Sequence, residues 1–161
     1  MASEIMEDLR KYYFDGEGSE FELDSLYLQA CISHALVKKS FRLVGGQKYI
    51  TETCQDLKFQ ISPDSFFQVN TKGAETLYNT VKEIAEVSPI TTLLDICCGT
   101  GTISLVMAPH VRGTVGIEVV TGAVDDARMN AKENNMENAS FLAGKVEKVK
   151  QFIILMGLLA T

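Results

Sequence analysis

Leu94-Asp95-Ile96-Cys97-Cys98-Gly99-Thr100-Gly101-Thr102-Ile103 closes one short apolar run, Thr92–Cys97, and opens a helical one, Thr102–Ala108. A run of that length ended by a glycine loop reads as a buried strand that turns directly into a helix. Glycines at 99 and 101 let the backbone turn tightly and lie against a ligand where a Cβ would clash. Outward from the loop the alternation continues, with Thr114–Glu118 as a second strand, Gly122–Asn135 as a second helix and Ala139–Leu142 as a third strand. That order implies right-handed crossovers and a parallel sheet with helices packed on its faces. Residues 91–142 therefore read as the first half of a doubly wound, nucleotide-binding α/β fold.

Upstream the pattern is different. Residues 24–61 alternate apolar and polar positions in short runs, Leu26/Leu28/Ala30/Ile32, Phe41/Leu43, then Tyr49 and Phe59/Ile61. This predicts a small antiparallel β segment, with Gly45-Gly46 as the hairpin turn. Ala74, Leu77, Tyr78, Val81, Ile84 and Ala85 follow at helical spacing, with Thr71 as the N-cap and Pro89 closing the stretch. The chain of 161 residues carries a net charge of −6, and all of it lies in residues 1–30, where eight acids face only Arg10 and Lys11. An acidic leader on a neutral body predicts a solvated, mobile start, and the charge argues against a chain that grips nucleic acid by phosphate neutralisation alone.

Four cysteines, Cys31, Cys54, Cys97 and Cys98, show no Cys-x-x-Cys spacing, and His34 and His110 lie far from any cysteine pair, so no metal site is expected. The longest apolar run, Phe152–Ala160, is well short of the ~20 residues of a membrane span, so no membrane partner is expected either. With no signal-like N-terminus, the expected compartment is intracellular, cytoplasmic or nuclear before mitochondrial.

The loop's charge selects its ligand. Glu118 ends the second strand 23 positions after Asp95, where a carboxylate can accept hydrogen bonds from both hydroxyls of an adenosine ribose. A dinucleotide loop carries a third Gly or Ala to seat a pyrophosphate, but here that place is Ser104, and Asp95 stands just before the loop. Two unit charges about 4 Å apart interact by about 4 kcal/mol at an effective dielectric of about 20. Asp95 therefore repels a pyrophosphate and attracts the ammonium of a methionine moiety, which favours S-adenosyl-L-methionine and disfavours a nicotinamide oxidoreductase.

Leu94–Ile103, with the preceding Ile61-Ser62-Pro63-Asp64-Ser65-Phe66-Phe67-Gln68-Val69-Asn70-Thr71 and the following Ala123-Val124-Asp125-Asp126-Ala127-Arg128-Met129-Asn130-Ala131, resembles the RNA (uracil-5-)-methyltransferases, most closely the animal tRNA members. The resemblance runs from about Tyr49 to Glu147. Its Ser-Pro-x-x-Phe-Phe-Gln-Val-Asn segment is specific, because most other Rossmann methyltransferases lack it. It implies a Rossmann-like class I S-adenosylmethionine-dependent methyltransferase half-sheet behind the antiparallel segment, with tRNA as partner and methyl transfer to uracil C5 as the reaction. Gln68 would contact the cofactor, Glu118 would hold its ribose, Cys97 and Thr102 would line the pocket, and Gly144–Glu147 would approach the adenine. Val146 departs from the family's Gly-x-Ala-Glu at that last site. Together with Asp95, Gly99 and Gly101 from the loop, these make the candidate cofactor residues Gln68, Asp95, Cys97, Gly99, Gly101, Thr102 and Glu118.

The family's chemistry adds a cysteine thiolate to uracil C6 and removes the C5 proton with a carboxylate base. The Ser-Cys-Asn-Pro-like and Asp-Pro-Pro-Arg-like segments of the family have no counterpart here, so no catalytic residue is assigned. The expected organisation is an acidic leader with the small β segment over 1–62, the N-terminal half of a cofactor-binding domain over 63–149, and a divergent apolar tail over 150–161. Such an ending suggests a truncated product without the catalytic cysteine, whose first Rossmann strand presents an open edge that invites self-association. A second reading stays open beside the enzyme: a non-catalytic fragment that binds S-adenosyl-L-methionine or a partner.

Overall fold

The computed structural model describes residues 2–29 and 41–148, which pack as two units, Met1–Ile50 and Thr51–Thr161. In the first unit the acidic start is wound. Helix α1 (Ala2–Arg10) carries Glu4 in its first turn and Arg10 in its last, the arrangement its dipole favours, and buries none of its residues. A wide turn over Lys11–Asp15 and a 3₁₀ turn over Glu17–Phe21 follow, and the Tyr13 ring meets those of Tyr12 and Phe21 at centroid distances of 4.9 and 6.2 Å. The leader that composition gives as solvated is wound into these turns: its acids stay in solvent, while the aromatic residues among them give the segment something to pack.

Strand β1 (Ser25–Gln29) runs antiparallel to β2 (Phe41–Gly46). Leu26 pairs with Gly45 and Tyr27 with Leu43, which leaves Val44 as the extra residue of a bulge. Gly45-Gly46 therefore lies inside β2 and is not the hairpin turn that its composition predicts. Ala30, Cys31, Ile32 and His34 fall outside the described residues, as does the 150–161 tail.

The second unit opens with a hairpin of β3 (Ile50–Cys54) and β4 (Leu57–Ile61). Its turn is Gln55-Asp56, both at positive φ (49° and 62°), the mirror-image turn that matches strand twist. Gln55 is held there by its N–H to the Glu75 carboxylate (2.9 Å) and its side-chain amide to the Glu75 carbonyl and Asn79 Oδ1 (3.2 and 3.1 Å). The antiparallel segment is therefore two separate two-stranded sheets.

Helix α2 (Thr71–Ala85) is capped by Asn70, whose side chain accepts the Gly73 N–H (3.1 Å), so Thr71 is the first helical residue and not the cap. It buries Ala74 and Tyr78 and stops at Glu86, which turns left-handed three residues before Pro89.

Then come β5 (Thr92–Ile96), α3 (Thr102–Met107), β6 (Gly113–Glu118), α4 (Thr121–Glu133) and β7 (Ala139–Ala143). The three strands form a parallel sheet in the order β5-β6-β7, with Asp95 beside Gly116 and Glu118 beside Ala143. This is the parallel half-sheet of a doubly wound α/β fold that the alternation predicts, and it matches the class I methyltransferase fold that the resemblance implies. Among the described residues the outer edge of β5 has no partner strand.

Phe59, Leu105 and Val124 are fully buried, each worth about 1.5–3 kcal/mol by transfer. Phe141 joins the same core and its ring lies so close to the loop that a Cβ on Gly101 or Gly116 would sit 2.8 or 2.6 Å from it.

One face of α4 is polar and buried. Asp126 and Asn130 are 3% and 1% exposed, and Asn134 follows at the helix's C-cap. The Asn134 amide pairs with both the N–H and the carbonyl of Lys58 (2.9 and 2.7 Å), and Asn130 does the same at Gln60 (2.6 and 3.2 Å). Spaced four residues apart, these side chains share one helix face and continue the hydrogen bonding of β4 in place of a further strand.

Candidate functional site

Past the C-terminal ends of β5 and β6 lies a cavity of about 280 Å³, the place where open α/β sheets bind ligands. Six of the seven candidate residues line it: Gln68, Asp95, Cys97, Gly99, Thr102 and Glu118. Phe66, Phe67 and Tyr78 supply apolar wall. Gly101 lies behind the loop, buried against Phe141.

The strand-to-helix turn is tight because Cys97, Gly99 and Gly101 all take positive φ (62°, 55° and 81°). A Cβ on Gly99 would meet nothing within 4 Å, so its Cα faces open space.

Asp95 is 9% exposed and plays two parts. Its Oδ2 accepts the N–H and the hydroxyl of Ser104 (3.1 and 2.8 Å), which ties the end of β5 to the first turn of α3. Ser104 thus holds the acid in place. The other carboxylate oxygen accepts no hydrogen bond from a described residue. Burial pushes the Asp95 carboxyl above its ordinary range, against the two Ser104 hydrogen bonds that pull it down.

Glu118 accepts hydrogen bonds from the backbone N–H of Gly99 (3.2 Å), Val119 (2.7 Å) and Val120 (2.9 Å). It therefore clamps the glycine loop from the neighbouring strand, and its Oε2, with a single donor, keeps accepting capacity on the cavity side.

Cys98 is buried, and its thiol is pushed up to about 12 by burial and by the nearby Asp95 and Glu118 charges. It stays a thiol at neutral pH, which makes it packing and not a nucleophile. Gly144 donates to the Glu118 carbonyl (2.8 Å), so residues 144–147 leave the sheet beside that acid, but none of them lines the cavity.

The Gln68 side chain makes no hydrogen bond to another described residue and lies at the end of an arm, Phe66–Phe67–Gln68, that leaves the Ser62–Ser65 turn. The residues that hold this turn come from α4, and sequence reading passed over them. Asp126 accepts from the Ser62 N–H (2.9 Å), the Ser62 hydroxyl (2.8 Å), the Ser65 hydroxyl (2.9 Å) and the Gln60 amide (3.2 Å). Asn130 reaches past Gln60 to the Thr100 carbonyl in the glycine loop (3.2 Å). The available signal was a row of polar residues, Asp126, Asn130 and Asn134, on a helix face that also carries Ala123, Ala127 and Ala131.

Among the described residues no helix is long and apolar enough to cross a membrane, and no group of three or more His, Cys, Asp or Glu side chains could hold a metal ion.

A family model described as a methyltransferase domain matches residues 88–154, the stretch that contains the glycine loop and Glu118. The tRNA (uracil-5-)-methyltransferase homolog B of Danio rerio is 45% identical over 145 residues, and that of Homo sapiens 44% over 147. Over most of its own length the chain is thus similar to RNA (uracil-5-)-methyltransferases. These alignments take in 88 and 89% of this chain but only 30 and 29% of the relatives, so it spans about 30% of their length. The solved Pyrococcus abyssi tRNA (uracil-54, C5)-methyltransferase, in complex with S-adenosyl-L-homocysteine, is similar with a TM-score of 0.62 at 28% identity, over 80% of this chain and 32% of that one.

Proposed function

We propose that this chain binds S-adenosyl-L-methionine in the cavity at the end of β5 and β6, as the cofactor-holding part of a tRNA (uracil-C5)-methyltransferase. The observation that carries the reading is the convergence of Gln68, Asp95, Gly99 and Glu118 on one cavity. A relative of the same fold was solved with the demethylated cofactor, which supports it.

The donor set fits such a group. The Asp95 oxygen left over by Ser104 accepts no hydrogen bond from a described residue, and it would receive the ammonium of the methionine moiety, whose positive charge favours the ionised carboxyl. Glu118 would accept from the ribose hydroxyls through its remaining lone pairs. Gln68 has a free amide to offer, and Gly99 leaves the backbone bare where the nucleoside lies closest. When bound, the cofactor supplies a methyl carbon made electrophilic by its sulfonium. The chain's own residues orient it.

Completing the transfer needs a thiolate at uracil C6 and a base at C5. Cys54 and Cys98 are buried, with Cys98 held protonated, and the exposed Cys97 sits in the glycine loop that lines the cofactor cavity itself. We therefore infer that this chain, taken alone, binds the cofactor without turning it over, and that the nucleophile belongs to a part of the family's length that it does not span.

Incubation with methyl-labelled S-adenosyl-L-methionine and unmodified tRNA tests both statements. Retention of label by the protein with none in the tRNA is expected, while a full-length relative labels its tRNA. Label in the tRNA would show that this chain is a complete enzyme, and no retention would remove the cofactor reading.

A further inference from the structure

We propose that Asp126, which does not line the cavity, is a positioning residue for cofactor binding: it fixes the turn from which Phe66, Phe67 and Gln68 run along one wall. The inference rests on the reading of the cavity as a cofactor site.

Three of the four hydrogen bonds that Asp126 accepts go to Ser62 and Ser65, the two ends of a single turn, which closes on itself through the Ser65 N–H and the Ser62 carbonyl (3.0 Å). The arm begins at the next residue. Phe66 is 74% exposed, and Gln68 has no hydrogen bond to a described residue. Among the described residues, beyond the turn the arm is tied by the Phe67 ring, 5.6 Å from that of Phe59, and by Asn70, which caps α2. Its course is therefore set mainly at its root. Without the carboxylate, one N–H and two hydroxyls at that root lose their common acceptor, and the turn must rearrange to reach water.

A residue that only held β4 to α4 would behave like Asn134. That side chain makes two hydrogen bonds of 2.9 and 2.7 Å to the same strand from the same helix, but at Lys58, the end away from the arm.

The test is calorimetric titration of the full chain with S-adenosyl-L-homocysteine, beside a thermal melt, for the unaltered protein, Asp126→Ala and Asn134→Ala. Both variants are expected to melt earlier. Only Asp126→Ala is expected to bind more weakly, by about tenfold or more, and adding Gln68→Ala to it is expected to cost less than Gln68→Ala alone costs the unaltered protein. If Asp126→Ala does not fold, Ser65→Ala, which removes one of the four donors, is expected to weaken binding by about threefold.

The proposal is overturned if the folded variant binds as the unaltered protein does, or if Asn134→Ala weakens binding equally. An unaltered chain that shows no binding overturns the cofactor reading and this proposal with it, whereas normal binding by both overturns this proposal alone.

Discussion

The glycine-loop wall of the cavity is held from nearer in the sequence, through Ser104 nine positions from Asp95, the Gly101 N–H on the Cys98 carbonyl and Glu118 nineteen positions from Gly99. The opposite wall, Phe66 to Gln68, is held by a helix 61 to 66 positions further along. The first wall is a matter of backbone shape, so it breaks when something is added. The second is a matter of donors sharing an acceptor, so it breaks when something is taken away. Asn130 bonds Thr100 in the glycine loop and Gln60 on the strand that leads into the Ser62–Ser65 turn, so its loss is expected to reach both walls.

The largest effect is expected from addition on the first wall. Gly101→Val would force a branched side chain onto a residue at φ 81°, against a phenyl ring 2.8 Å from its Cβ, and should remove about 4 kcal/mol of stability in denaturant titration. Asn130→Ala removes bonds to Gln60 and Thr100 and leaves buried partners unpaired, for a loss of about 2–3 kcal/mol by the same measurement. Gly99→Ala sharpens the contrast. Its Cβ meets no atom, so only the left-handed backbone resists, at about 1–2 kcal/mol. Binding of S-adenosyl-L-homocysteine, followed by calorimetry, should suffer more than this, because the methyl group occupies open space at the cavity.

Asp95 gives a pH signature. Burial raises its folded-state value above the unfolded one, so its contribution to stability is present below the unfolded carboxylate range and is lost as pH rises through the folded value. Asp95→Asn should therefore gain thermal stability relative to the unaltered protein at neutral pH and lose that advantage in acid, as melts across the range would show. A neutral-pH melt below that of the unaltered protein would mean that the charge is stabilising even without ligand.

The smallest effect belongs to the acid next door. Asp125 has its side chain 70% exposed and pairs with Arg128 at 3.2 Å, and Asp125→Ala should change stability by less than about 0.5 kcal/mol, a sharp contrast with Asp126 one position on.

The same contrast explains what could be read in the sequence. The strand-loop-helix alternation, the glycine loop, the acid at 95 and the acid at 118 are local patterns with fixed spacing, and the fold assembles them as that spacing implies. Residues whose partners are remote were not legible: nothing near Asp126 indicates that Ser62 and Ser65 will meet it. Local signals also misled where two residues competed for one role. Gly45-Gly46 is a better turn on composition than Gln55-Asp56, but Gln55 is paid for its left-handed backbone by bonds to Glu75 and Asn79 on α2. Asn70 and Thr71 can both cap a helix, and Asn70 takes the position because its side chain reaches the Gly73 N–H. Asp95 was legible as an acid at the glycine loop but not as the partner of Ser104, since its neighbour across the turn appears only once the helix folds back.

The measurement closest to the central claim sets two ligands against one substitution. S-adenosyl-L-homocysteine and methylthioadenosine share the nucleoside, but only the first carries the ammonium that Asp95 is argued to receive. Calorimetric titration of the full chain should show tighter binding of S-adenosyl-L-homocysteine, and Asp95→Asn should abolish most of that difference while leaving methylthioadenosine affinity unchanged. Equal loss for both ligands, or no saturable binding of either by the unaltered chain, would contradict the account.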